Sequence, residues 1–134
     1  MVIDSSALVA ILFGEPESAR MVQSIVTAEE RVVPAPTLVE AAAVMLARRG
    51  AAGEIALDAL IQRLEIEIVP MSSDAAASAR RAYRRYGKGV GTPGVLNYGD
   101  CLSYGVAVSR GEPLLFKGDD FSRTDVKAAL QPHA

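Results

Sequence analysis

Short apolar runs alternate with amphipathic stretches along the chain. Val2-Ile3 reads as a buried strand, and Ser5 or Ser6 then opens a helix through Leu8, Ile11 and Leu12. Gly14-Glu15-Pro16 breaks that helix, and Pro16 starts another with Met21, Val22, Ile25 and Val26 on its apolar side. Arg31-Val32-Val33 is a second strand closed by Pro34. A helix is expected from Thr37 to Arg48-Arg49-Gly50, with basic residues in its last turn and glycine after it. Another follows, with Ile55, Ala59, Leu60 and Leu64 at helical spacing.

Ile66-Glu67-Ile68-Val69 alternates as a strand and stops at Pro70, and Ser72 or Ser73 caps the helix DAAASARRAYRRYG. The glycine-rich link GKGVGTPG leads to a helix from about Tyr98 to Arg110, and Pro113-Leu114-Leu115-Phe116 is a last core strand before the turn KGDDF. Strands alternating with helices predict an α/β fold with a mostly parallel central sheet of about four to five short strands. About six to seven helices are expected to flank it. Crossover helices run antiparallel to the strands they connect, so strand C-termini and helix N-termini share one edge. That edge is where ligands of open α/β sheets bind.

Composition narrows the class. With 134 residues, 50% hydrophobic and 22% charged, the chain reads as one folded domain. Lys+Arg 14 against Asp+Glu 16 gives a net charge of −2, so any affinity for nucleic acid has to rest on local charge. One cysteine, Cys101, excludes an internal disulfide framework, and with His133 as the single histidine a His/Cys zinc site is disfavoured. The first residues lack a basic n-region, and their apolar run is broken by Asp4. No stretch approaches the roughly 18 apolar residues of a membrane span. The expectation is a soluble cytoplasmic protein without a membrane partner.

Four segments deliver carboxylates to the one edge: Asp4 after the first strand, Glu40 in Thr37-Leu38-Val39-Glu40, Asp100 in Asn97-Tyr98-Gly99-Asp100, and Asp119-Asp120 after the last strand. Each has an ordinary local account. Asp4 is a good N-cap, Thr37 to Glu40 fits a capping box, Asp100 favours a positive helix end, and Asp119-Asp120 suits a polar turn. Local accounts leave the convergence unexplained. Like charges brought together in apolar settings such as VIDSSALV and LVEAAAV repel, and a hard divalent cation with oxygen ligands, Mg²⁺ or Mn²⁺, relieves that. Such a site serves phosphoryl chemistry by activating water and stabilising a leaving oxygen.

MVIDSSAL, PTLVEAAAV, LNYGDCLSYGVA and LLFKGDDF resemble, in that order, a PIN-domain ribonuclease of the VapC toxin family of toxin–antitoxin pairs. The resemblance covers essentially all of residues 1–134 as a single PIN-like domain. It implies a Mg²⁺-dependent endoribonuclease that hydrolyses RNA phosphodiester bonds with metal-activated water. It also implies a cognate antitoxin protein, and a homodimer or a toxin–antitoxin hetero-oligomer. By motif, Asp4, Glu40 and Asp100 match the family's main acids as catalytic and metal-binding residues. Many relatives carry Asp-x-Asp-Phe where this chain reads Gly118-Asp119-Asp120-Phe121, so Asp119 stands in as the fourth acid. Ser6 matches a family position that often carries Ser or Thr and holds a metal-bound water; helix capping explains it equally.

Arg80, Arg81, Arg84, Arg85 and Lys88 put five cations within nine residues, with Tyr83 and Tyr86 among them. A solvated helix face is the plain reading. For a phosphodiester substrate, Arg84, Arg85 and Lys88 would supply the positive field that the overall charge lacks, and the tyrosines either stack on bases or cover the core. GVGTPG at residues 89 to 94 satisfies G-x-G-x-x-G, but it follows an Arg-rich helix instead of a strand and contains Pro93, which disfavours a dinucleotide site. It reads instead as a flexible loop near the site. Cys101 and Ser103 lack a histidine partner other than His133, so a nucleophilic pair is disfavoured. Leu12, Phe13, Met45 and Leu46 belong to mostly core faces whose excess can dock an antitoxin helix or a second subunit. The alternative function is a non-catalytic or receiver-like binding module on the same acidic edge, although a receiver should carry paired acids after strand one and an acid after Val69.

Overall fold

The computed structural model describes residues 1–131; His133 lies outside the described residues. In chain order the elements are β1 (Val2–Ile3), α1 (Ser5–Leu12), α2 (Ser18–Thr27), β2 (Val32–Pro34), α3 (Ala35–Arg63), β3 (Glu67–Val69), α4 (Ser73–Tyr86), α5 (Tyr98–Arg110) and β4 (Leu114–Leu115), with a 3-10 turn at Phe121–Arg123. The sheet order is β3-β2-β1-β4, and every pairing is parallel. Register sets Val2 beside Val32 and Leu114, and Ile3 beside Leu115.

Side chains alternate across a strand, so this register sorts the core into two layers. Val2, Val32 and Leu114 pack with α4 and α5 residues such as Ala75, Ala79, Tyr104 and Val106. Ile3, Val33 and Leu115 pack with Leu8, Met21, Ile25 and Leu57 from α1 to α3. Gly105 lets α4 and α5 approach closely, because a Cβ there would stand 2.4 Å from the Ala75 carbonyl oxygen.

Most expected element boundaries agree with the structure, and α5 matches at both ends. The two middle helices are hydrogen-bonded as one, α3, divided where Gly50 leaves the helical region at φ 63°. The start of α3 differs from expectation. It follows β2 without a loop, with Pro34 as N-cap and Pro36 in the first turn, where a missing N–H costs nothing. Thr37 therefore lies inside the helix and makes no cap, so the capping-box account of Glu40 does not hold. Ile55 also departs from its expected core position and is exposed, because the inward stripe runs through Gly53, Leu57, Leu60 and Ile61. Of the four residues named for apolar surface, Met45 is buried, Leu46 is exposed, Leu12 is partly buried, and Phe13 lies half-buried beneath Arg48 and Arg49. Among the described residues no helix is long and apolar enough to cross a membrane.

Candidate active site

Asp4 leaves β1 with its N–H still in the ladder, donating to the Leu115 carbonyl at 2.9 Å. Its carboxylate caps α1 by accepting from the Ser6 N–H at 3.0 Å, and Ser103 of α5 donates its hydroxyl to the other oxygen at 2.5 Å. Both Asp4 and Ser103 are buried. The local account of Asp4 as a cap is thus correct, and it leaves the residue in the centre of the edge.

Glu40 sits one and a half turns into α3. Helical side chains lean toward the N-terminus, which carries its carboxylate back toward the strand ends. Ser5 donates its hydroxyl to Glu40 Oε1 at 2.9 Å. The other neighbour is Gly99 in the first turn of α5, where a Cβ would stand 2.0 Å from Glu40 Oε2 and 2.7 Å from Cδ. The absent side chain of Gly99 is the space that Glu40 occupies.

Asp100 closes a reciprocal capping box with Asn97. Its N–H donates to Asn97 Oδ1 at 2.8 Å, and its Oδ2 accepts from the Asn97 N–H at 3.0 Å. Burial and the neighbouring charges of Asp4, Glu40 and Asp120, opposed by the Asn97 hydrogen bond, push the Asp100 carboxyl up to about 6. Glu40 is also raised, by burial first and then by Asp4, against the Ser5 hydrogen bond. Asp4, Glu40 and Asp100 therefore act on one another in a shared field, and the largest charged influences on Asp100 are all carboxylates.

Asp119 and Asp120 both lie exposed after β4, and Asp120 precedes the 3-10 turn. It is Asp120, in place of the Asp119 chosen from the motif, that contributes to the field at Asp100. Ser6 accepts from the Lys117 N–H at 3.0 Å and so ties the exit of β4 to α1. Lys117 itself pairs with Glu15 and Glu17, away from the acids.

The cations divide between two sides of α4. Arg80 and Arg84 line an apolar groove of about 520 Å³ between α4 and the start of α5, whereas Arg85 pairs with Asp125 at 3.3 Å and stacks over Tyr86. Lys88 is exposed beyond the helix. Tyr86 is buried edge-to-face against Tyr104, and Tyr83 stays partly exposed in the groove. The glycine-rich segment is folded back on α4 by backbone bonds, with Thr92 N–H donating to Arg85 O and Leu96 N–H to Tyr86 O, so it is not a free loop. Cys101 is buried, and burial with the adjacent Asp100 charge pushes its thiol up to about 11, far from nucleophilic readiness.

Sequence reasoning missed Gly99 as the space for Glu40, Ser103 as the donor to Asp4 and Tyr98 as a groove residue. Ser103 follows Asp100 by three positions, the spacing that shares a helix face, and this was the available signal. The donor set fits a hard divalent cation: it is all oxygen, and among the described residues none of these carboxylates forms an ion pair. As they stand, no three His, Cys, Asp or Glu side chains among the described residues are gathered closely enough to grip an ion. Each acid is held on its own side by neutral donors, as like charges require.

Comparison with known proteins identifies the family. The family profile described as PIN domain matches residues 1–127. The chain is 45% identical to Ribonuclease VapC30 of Mycobacterium tuberculosis, covering 98% of this chain and 100% of that one. It is also 45% identical to Ribonuclease VapC of Mycolicibacterium smegmatis, covering 96% and 98%. The crystal structure of Mycobacterium tuberculosis VapC20, titled as a Sarcin-Ricin loop cleaving toxin, superposes with a TM-score of 0.75 over 98% of both chains at 15% identity, a likeness of fold. The family profile over residues 1–127 and the full-length match at this identity make the chain a member of the PIN-domain family in its VapC ribonuclease branch.

Proposed function

We propose that this protein is an endoribonuclease toxin that hydrolyses RNA phosphodiester bonds at the edge formed by Asp4, Glu40, Asp100 and Asp120. The observation that carries the reading is that three acids from distant segments meet at one sheet edge: Asp4 raises both Glu40 and Asp100, Glu40 raises Asp100, and no cation is among the largest charged influences on Glu40 or Asp100. PIN-domain ribonucleases are generally dependent on a divalent metal. Mg²⁺ is the ion proposed here, with Mn²⁺ as a substitute, held by Asp4, Glu40 and Asp100. When bound, such an ion supplies Lewis-acid activation of water and charge stabilisation of the phosphate.

The chain's own residues do the rest. Asp4 is fixed by Ser6 and Ser103 and is the immobile member of the set. Glu40 lies in the Gly99 cradle, and Asp100 projects from the N-terminus of α5. Asp120 takes the part assigned by motif to Asp119. Ser6 keeps the β4 exit against α1. Arg84 and Lys88 supply local positive charge for the RNA backbone, and Arg85 serves the Asp125 contact instead.

The antitoxin partner belongs to the same proposal. Val39 and Leu46 lie seven residues apart on one face of α3 and are exposed, which gives a partner helix an apolar landing strip. Family membership disfavours the receiver-like alternative. The experiment is cleavage of a tRNA and ribosomal RNA pool with Mg²⁺, Mn²⁺ or EDTA. Cleavage is expected with either ion and none with EDTA; an Asp100→Asn protein cutting as fast as wild type refutes the reading.

A further inference from the structure

The groove between α4 and α5 has a composition that the acidic edge does not explain. Its walls are apolar, with Met71 and Cys101 among them, and its mouth carries two tyrosines and two arginines: Tyr83, Tyr98, Arg80 and Arg84. Tyr98 is 74% exposed and Tyr83 36% exposed, so both rings offer surface to a ligand. Among the described residues Arg80 and Arg84 form no ion pair, in contrast to Arg85. Two unpaired guanidinium groups beside a wet aromatic pair make a poor wall for a neutral or cationic partner and a good one for an anion that carries flat rings.

The groove opens at the first turn of α5. Tyr98, Cys101 and Leu102 share one face of that turn, and Asp100 stands on the neighbouring face. The groove and the acidic edge therefore adjoin at the same turn of α5, and a strand whose phosphate lies at the acids passes the groove mouth. The volume of about 520 Å³ lies in the range that holds a compact ligand. We infer that this groove is a nucleotide subsite: it takes an unpaired base of single-stranded RNA next to the scissile phosphate, stacked on Tyr98 and Tyr83. Arg80 and Arg84 hold the adjoining phosphate. The inference rests on the nuclease reading for the identity of the polymer, and it locates where a base adjoining the cut is held.

The test is fluorescence anisotropy with a labelled single-stranded RNA decamer in EDTA, comparing wild type with Tyr98→Ala, Tyr98→Phe and Arg84→Gln. Tyr98 is exposed enough that truncation leaves the fold intact, and a thermal melt checks this. Tyr98→Ala is expected to weaken binding about tenfold, equivalent to ~1.4 kcal/mol. Tyr98→Phe keeps the ring face and should restore it. Arg84→Gln should lower the slope of log Kd against log salt by roughly 0.7, one phosphate contact on a single strand. In Mg²⁺ the Tyr98→Ala loss should fall on KM for RNA cleavage more than on kcat. Unchanged affinity of Tyr98→Ala, or no binding of the decamer by wild type, overturns the subsite. A change of oligomeric state in Tyr98→Ala by sedimentation also overturns it, because the groove is then filled by a second copy of the chain. Wild-type protein that cleaves nothing sinks the nuclease reading alone and leaves the anisotropy to decide the groove.

Discussion

Replacing Gly99 by alanine should separate the stability of this protein from its activity. A Cβ at position 99 meets Glu40 Oε2 at 2.0 Å, Cδ at 2.7 Å and Oε1 at 2.9 Å. Ordinary contact begins near roughly 3.5 Å, so the carboxylate must withdraw by about 1.5 Å. All the clashing atoms lie at the far end of one flexible side chain, and rotation of Glu40 relieves them without moving α3 or α5. Gly99 lies in the first turn of α5 with ordinary helical backbone, where alanine is favoured over glycine by up to about 1 kcal/mol. The melting temperature should therefore stay level or rise by a few degrees. Activity should fall on the order of 100-fold, the usual consequence of a misplacement of about 1 Å among catalytic groups. The assays are a thermal melt by circular dichroism, Mn²⁺ titration by calorimetry and RNA cleavage. A double-mutant cycle identifies the cause: once Glu40→Gln is present, Gly99→Ala should add little further loss. Wild-type Mn²⁺ affinity and cleavage in Gly99→Ala would falsify the placement of Glu40 in the site.

Further predictions concern the remaining acids and their supports. Asp100 is raised to about 6 in the folded protein, so the native state binds more protons than the unfolded chain between about pH 4 and 6. Stability from this group should then decrease as pH rises through that window, and divalent-ion affinity should drop as pH falls below about 6, because the ligand form is the carboxylate; Mn²⁺ titration from pH 5 to 8 measures this. Ser103→Ala removes the buried donor to Asp4, which should cost roughly 1.5–3 kcal/mol in urea denaturation and lower cleavage as well. Asp120→Asn should reduce cleavage at least tenfold while Asp119→Asn leaves it near wild type, with equal effects of the two counting against the assignment of Asp120.

The parts of this protein that the sequence made legible are those governed by local rules. Asp4 caps α1 and Asp100 sits in the first turn of α5, answering the Asn97 cap, as their spacing suggested, and the strand–helix alternation sent both to one edge. Glu40 shows how a local rule misleads. Thr37-Leu38-Val39-Glu40 has a capping-box spacing, but two prolines start the helix earlier, and Glu40 is released from any cap to face α5. The motif alone points to Asp119, whereas the charge felt at Asp100 comes from Asp120; both side chains are exposed on one turn, and the choice of Asp120 belongs to the proposal. Gly99 was illegible because its partner Glu40 is distant in the chain, and for Ser103 the spacing to Asp100 gives only the helix face, not the partner Asp4, 99 residues away. The cations of α4 read as a block, yet a helix separates neighbours by about 100° per residue, which sends Arg84 to the groove and Arg85 to Asp125.

The passage from β2 into α3 without any intervening loop leaves no slack in the chain. One residue inserted between Pro34 and Glu40 would turn the glutamate about a quarter of the way round its helix and advance it about 1.5 Å. A change of length along this stretch should cost activity more than a substitution does. Insertions and deletions in descendants of this gene should therefore gather at surface connections such as Gly14–Glu17 and avoid the stretch from Pro34 to Glu40.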